Sequence, residues 1–381
     1  MHQFCTAFLN RGDKVVVCAP TDGINDARSW DSLGVQVAAH PVLFSNKPAS
    51  LVDPVLYVAR LRRFLCEQSL PKPDLVLCFQ YCYVVAAKKT WPSAKVVFMV
   101  GAAQLDWATS LYAHRGWQSY PIIMAKGPAM YYVERAALNL ADVVCVEGEF
   151  LKDRLLHYHR FARRKMLIIS PPIDILRFRP RADVRDTVRG EMGLSGTTQL
   201  ILGVGRLDAN KNFVTLVRAA SQLTPGGWRM AIAGTGREEQ RLRTLIKGCS
   251  LSDCVELLGH RDNIEALYAG ADIFAHPTVL DSYGNTVLEA MASRLPCVVS
   301  NGPKVGIARE LQDGTNAVLA NPRKPAHWAA CLERLIHDRA LRQHLGANAR
   351  TFCEKQPTVS QCIEMILDSV GLTRSDQRAE A

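Results

Sequence analysis

The chain has 381 residues, 48% of them hydrophobic and 22% charged, a usage that excludes collagen-like, coiled-coil and largely disordered proteins. Single cores stop growing at roughly 250 to 300 residues, so two domains are expected. A formal charge of +10 draws anions such as nucleotides and phosphorylated lipids to the surface, whereas the basic clusters Arg160, Arg163, Arg164, Lys165 and Arg177, Arg179, Arg181 carry no RNA-binding or helix-turn-helix pattern, which argues against nucleic acid.

The twelve cysteines are scattered and lie mostly in apolar runs, as at Cys18, Cys145 and Cys297, which fits buried thiols. Cys78 and Cys82 have no second pair at zinc spacing, so no metal is expected. No uninterrupted apolar run reaches the roughly 18 residues of a spanning helix. A cytoplasmic protein is expected, with its basic surface available for peripheral contact at the inner membrane face.

The chain opens on a helical pattern at 2–10, with Phe4, Ala7 and Phe8 on one face, which runs through Arg11-Gly12-Asp13 into the strand 14–20. Further β-branched runs follow at 35–41, 74–80, 95–101, 142–148 and 165–170 and read as buried parallel strands. Between them 54–66 is a crossover helix with Val55, Val58, Ala59, Leu61 and Leu65 near one face. A helix that feeds a buried parallel strand is normally itself fed by one. The reading therefore expects a start upstream of Met1, with roughly 10 to 15 further residues for a strand and a loop.

The arginine-rich segment 177–198 breaks the pattern and sets the domain boundary at 180/181. A second series of strands at 199–205, 228–234, 254–259, 272–277, 295–300 and 316–320 gives a second doubly wound sheet. The expected fold is α/β: an N-terminal Rossmann-like domain at 1–180, a C-terminal one at 181–355, and a helix and tail at 356–381 returning toward the first. Ligands of open α/β sheets bind outside the carboxyl ends of the strands, so the site is expected where the two sheets face.

Three loops carry candidate chemistry. GVGRLDANKN, 203–212, lacks the third glycine of a dinucleotide fingerprint and the Gly-Lys-Ser/Thr of a P-loop. Arg206 and Lys211 project from its glycine turn near a helix start, a combination suited to a diphosphate. Taken alone, the segment reads more readily as a plain strand-turn-helix corner with exposed cations. AGTGREEQ, 233–240, offers Gly234 and Gly236 for close backbone approach to a ligand, and an ordinary βα connection would look the same. HPTVLDSYGNTVLEAMASRLPCVVS, 276–300, places Asp281, Ser282, Tyr283, Gly284 and Asn285 before an apolar helix. There Thr286-x-x-Glu289 fits a capping box. The same residues fit free amides from 283 to 286 facing a diphosphate, with Asp281 and Glu289 on sugar and ribose hydroxyls. Spacing leaves both open.

Taken in order, these segments resemble glycosyltransferase family 4, retaining enzymes of the GT-B fold. The matches are Gly205-Arg206-Leu207 with Lys211; Gly234-Thr235-Gly236; Leu258-Gly259-His260; and Asp281 to Glu289, which corresponds to the family's E-x7-E with Asp in place of the first Glu. Glu310, Asp313-Gly314 and Asn316 continue the likeness. Upstream, Pro171-Pro172-Ile173-Asp174 with Phe178 and Pro180 is similar to the family's interdomain segment.

The resemblance implies a retaining hexosyltransferase that needs no metal and no cofactor, the UDP-, GDP- or ADP-sugar being a substrate. The acceptor would be a glycan, glycolipid or polyprenyl-linked intermediate. Arg206, Lys211 and Asp281 would be catalytic; Gly205, Gly234, Gly236, His260, Arg261, Ser282, Tyr283, Gly284, Asn285, Thr286 and Glu289 would bind substrate. No Asp-x-Asp is present, in keeping with metal independence. The family's first-domain histidine is absent near Gly101, where Asp106 or His114 are the substitutes at hand. The family's opening strand and glycine-rich loop are also absent. Those departures keep in play a non-catalytic GT-B homologue acting as a binding or partner subunit; a GT-B UDP-sugar epimerase is the other alternative, and the Asp281–Glu289 frame argues against it.

Overall fold

The computed structural model describes residues 2–20, 36–40, 54–68, 70–101, 118, 120–159, 166–194 and 196–372. Contacts divide the chain into Met1–Ser170 with Pro357–Ala381, and Pro171–Gln356. The first unit runs α1 (His2–Asn10), β1 (Val16–Pro20), β2 (Gln36–His40), α2 (Pro54–Glu67), β3 (Leu75–Cys78), α3 (Tyr81–Thr90), β4 (Lys95–Val100), α4 (Tyr120–Leu140), β5 (Val143–Val146), α5 (Glu149–Tyr158) and β6 (Met166–Ile168). Its ladders are parallel, β1 with β2 and β3-β4-β5-β6 in sequence order. On α2 the buried face is Pro54, Val58, Leu61 and Leu65, whereas Val55 and Ala59, read from the sequence as part of that face, are exposed. Glu134 of α4 and His159 just past α5 are both buried, 2.8 Å apart, and the His159 ring stacks on Tyr131. That contact ties two crossover helices together.

The second unit runs α6 (Ala182–Glu191), β7 (Gln199–Val204), α7 (Phe213–Ala220), β8 (Trp228–Ala233), α8 (Glu239–Gly248), β9 (Val255–Gly259), α9 (Ile264–Gly270), β10 (Ile273–His276), α10 (Asn285–Ala292), β11 (Cys297–Ser300), β12 (Val318–Ala320), α11 (Pro325–His337) and α12 (Arg339–Glu354). Its six parallel strands are ordered β12-β11-β10-β7-β8-β9. The winding therefore reverses between β7 and β10, and such a switch point is where open α/β sheets hold ligands. Strands β7, β10 and β11 are buried almost throughout, as central parallel strands covered by helices on both faces must be.

Segment 171–180, read from the sequence as the end of the first domain, packs with the second. Phe178 is buried edge-on against Tyr268, 5.9 Å between ring centres. Arg350 Nη1 donates to the carbonyls of Ile175 and Phe178, at 3.2 and 3.0 Å. The chain rejoins the first unit at α13 (Val359–Val370), where Cys362, Ile366 and Val370 pack with Val97, Val143 and Cys145. A capping box of Thr358 and Gln361 starts that helix and Gly371 ends it. Burial pushes the Cys145 thiol up to about 12, as desolvation of a thiolate requires. Among the described residues no helix is long and apolar enough to cross a membrane.

Candidate active site

The loops that leave β7 and β10 meet at the switch point. Asp208 shapes the first by accepting from the backbone amides of Asn210 and Lys211, at 3.1 and 3.2 Å. Asn212 then adopts a left-handed conformation, φ 54° and ψ 33°, which Asn tolerates better than most residues. Its side-chain amide donates to the carbonyls of Pro277 and Pro322, at 3.0 and 2.9 Å, while its oxygen accepts from Thr215 at 2.9 Å. Asn212 thus joins the loops after β7, β10 and β12. Sequence reasoning missed it, although an Asn directly before an apolar helix is a helix-start signal.

Gly234 and Gly236 answer to a backbone neighbour. A Cβ on Gly234 would lie 1.9 Å from the Gly205 carbonyl oxygen, and one on Gly236 would lie 2.4 Å from the Leu207 carbonyl oxygen. The two loops are laced by Gly205 N–H to Ala233 O and Leu207 N–H to Thr235 O, at 3.0 and 2.9 Å. Close approach was anticipated, and its partner here is the 205–207 strand exit, which these glycines hold in place.

At the centre, Lys211 Nζ donates to Asp281 Oδ2 at 2.6 Å, and each side chain keeps 19% of its surface exposed. This corrects the expectation that Lys211 stands exposed; the ordered loops on both sides cover it. His276, the last residue of β10, is 2% exposed, with Nε2 3.2 Å from the same carboxylate oxygen. At that distance an Nε2–H faces the carboxylate oxygen and favours its ionised form. Burial alone would raise the Asp281 carboxyl, but the His276 ring and the Lys211 ammonium outweigh it and hold the group well below the usual carboxylate range. Burial, with Lys211 in support, pulls the His276 ring below its ordinary value against the opposing carboxylate.

A buried ring held neutral gives a pH signature. Because its folded value lies below the unfolded one of about 6.5, His276 contributes stability above that pH and loses it as the pH falls, by at most about 1.4 kcal/mol per pH unit. We predict that denaturant-unfolding stability drops between pH 7 and pH 5, and that His276→Gln flattens this dependence. Parallel pH profiles for the two proteins would rule it out.

The helix beyond tells against the capping box. Gly284 is the N-cap residue of α10 and no side chain caps the helix. Thr286 lies inside it, its hydroxyl 3.5 Å from His276 Nδ1. Glu289 instead accepts from the Tyr268 hydroxyl at 2.8 Å, and burial pushes its carboxyl up despite that bond. Among the described residues the amides of Gly284, Asn285 and Thr286 meet no acceptor, so the positive end of α10 remains open beside Lys211 and Asp281. Ser282 is half-buried and Asn285 exposed at this end. Tyr283 turns inward, 1% exposed, and its hydroxyl donates to Glu310 at 2.6 Å; it offers this site no side chain.

Arg206 is 81% exposed and reaches Asp208 at 3.2 Å. His260 and Arg261 follow β9, exposed, with His260 paired to Asp262 at 3.1 Å; their side chains are not brought to the Lys211–Asp281 pair. Asp106 and His114 lie outside the described residues. The resident chemistry is therefore one anchored and one exposed cation, open helix amides, and two carboxylates in unlike settings. Such a set is suited to a polyanion that carries hydroxyl groups.

The model of the Glycosyltransferase Family 4 domain matches residues 1–177, and that of the group 1 glycosyl transferases matches 184–352. The chain belongs to glycosyltransferase family 4. This family 4 member is 28% identical over 234 residues to the D-inositol 3-phosphate glycosyltransferase of Corynebacterium jeikeium (strain K411), covering 58% of this chain and 55% of that protein. The chain spans about half the length of the curated relatives it matches first. Among solved structures, sucrose-phosphate synthase from Thermosynechococcus elongatus superposes with a TM-score of 0.79 at 18% identity, over 97% of this chain and 92% of that one. Anabaena HepE, in complex with UDP and glucose, gives 0.75 at 18% identity, over 97% and 95%. The family 4 chain thus has the GT-B fold, each unit a parallel α/β sheet.

Proposed function

We propose that the chain transfers a hexose from a nucleotide-diphosphate sugar, held by the second unit, to a hydroxyl of a glycan, glycolipid or polyprenyl-linked acceptor, with retention and without a metal. The observation that carries this reading is the Lys211–Asp281 pair set against the open amides of α10 at the switch point. When donor enters, Lys211 turns from Asp281 to the diphosphate and Arg206 folds onto it from solvent. Asp281 is then released to the sugar hydroxyls, and Glu289 takes the ribose. As the bond from the anomeric carbon to the diphosphate breaks, negative charge builds on the leaving oxygen, and preorganised cations and amides stabilise it. The UDP bound in the Anabaena structures supports testing UDP-sugars first. The names of the bacterial relatives support a phosphorylated cyclitol among the first acceptors.

A panel of nucleotide sugars, assayed for release of nucleoside diphosphate with and without acceptor, tests the activity. A folded protein that releases none from any donor would refute it. Glu289→Gln tests the site. It keeps an acceptor for Tyr268 and is expected to fold normally, yet to bind donor roughly tenfold to a hundredfold more weakly, the loss of one hydrogen bond to a charged group. Unchanged affinity in calorimetry would remove Glu289 from the donor site.

A further inference from the structure

At the opposite end of the second sheet, where β7, β10 and β11 begin, lies a cavity of about 950 Å³. Five arginines line it, Arg181, Arg185, Arg294, Arg339 and Arg342, against one lining carboxylate, Asp272. That carboxylate is already consumed, by Arg185 at 2.5 Å and by Arg189 at 2.8 Å. Arg185 and Arg342 are further anchored on the carbonyls of Ala271 and Ile336, at 2.8 and 2.9 Å. Arg294 and Arg339 are exposed and, among the described residues, their guanidinium groups hold neither a hydrogen bond nor an ion pair. The wall thus has two fixed guanidinium groups, Arg185 and Arg342, a third, Arg181, paired with Asp183 at 3.2 Å, and two ready ones, so that positive charge is in excess.

Two buried polar atoms in the same wall have no partner. Ser293 is 5% exposed, and its hydroxyl donates to nothing; the Gln199 side-chain oxygen accepts nothing. Buried polar groups are ordinarily satisfied, and each exception asks for a partner. A bare phosphate would serve the arginines and the Ser293 hydroxyl, but Gln199 needs a donor, such as a hydroxyl on the same ligand. The volume leaves room for one.

We propose that this cavity binds a phosphorylated sugar or polyol, its phosphate held by Arg294, Arg339 and the Ser293 hydroxyl and a ligand hydroxyl donating to Gln199. Guanidinium forks suit phosphate oxygens, and charge-assisted bonds are the strong ones. The site lies at the strand end remote from Lys211 and Asp281, and it stands whether or not the donor reading does.

The test is calorimetric titration of a hexose 6-phosphate into the full chain at constant ionic strength, with inorganic phosphate and the neutral hexose alongside. The phosphorylated hexose is expected to bind more tightly than phosphate, and the neutral sugar not at all. Each arginine bond lost should weaken binding about tenfold or more, so Arg294→Gln with Arg339→Gln is expected to cost roughly a hundredfold without moving the melting temperature. Arg206→Ala, which damages only the donor side, should leave this binding intact. Sedimentation with vesicles of phosphatidylinositol 4-phosphate in phosphatidylcholine separates sources: vesicle binding lost in the double variant assigns the phosphate to a lipid headgroup, and free ligand binding alone assigns it to a soluble one. Absence of both, or binding equal in the wild type and the double variant, overturns the proposal.

Discussion

Lys211→Ala is expected to lose about 10² to 10³ in turnover, the usual cost of removing one preorganised charge-stabilising group, and to lose stability as well. The second loss follows from the 2.6 Å pair with Asp281. Removing the ammonium leaves a mostly buried carboxylate beside a neutral ring. Breaking a fully buried pair costs roughly 3 to 5 kcal/mol. Because each partner here keeps 19% of its surface in solvent, about 2 kcal/mol is the reasonable figure. Arg206→Ala separates the two effects. That side chain is 81% exposed, so turnover should fall comparably while the melting temperature stays. Denaturant titration and steady-state kinetics on both variants check the contrast. Near-normal turnover in Lys211→Ala would discard the diphosphate assignment, and unchanged stability would discard the apo ion pair.

Gly234→Ala should be the most damaging single methyl group in the second unit. Its backbone has φ +142°, and the added carbon would meet the Gly205 carbonyl oxygen at 1.9 Å. Backbone, unlike a flexible side chain, cannot step aside without breaking the Gly205 to Ala233 and Gly234 to Gly259 hydrogen bonds. Overpacking costs about 1 to 3 kcal/mol and a strained φ adds about 1 more, so a loss of roughly 3 kcal/mol is expected, with activity falling because Arg206 and Lys211 hang from the displaced loop. Gly248→Ala is the control, since nothing lies within 4 Å of its added carbon. Equal unfolding midpoints for the two variants would contradict the packing described.

Much of this was legible in the sequence. Strand runs alternating with amphipathic stretches gave the α/β class, because the periods of 2 and 3.6 are local consequences of burying one face. The order of glycine turns, Lys211 and the Asp281 to Glu289 spacing pointed to the family, since each marks a strand exit whose chemistry lies within about ten residues. What the sequence by itself determined was therefore the kind of elements and the inventory of charges at their ends. It could not say whether Glu289 capped a helix or faced a ligand: both fit the spacing, and only the position of Gly284 as N-cap and the bond from Tyr268, 21 residues away, told against capping. Nor could it foresee that Lys211, Asp281 and His276 share one cluster or that Asn212 pins three loops, because 70 residues separate Lys211 from Asp281. Their meeting depends on β10 pairing with β7 rather than with β9, a choice made by the burial free energy of the whole sheet and the handedness of its crossovers, to which no local run of residues is sensitive.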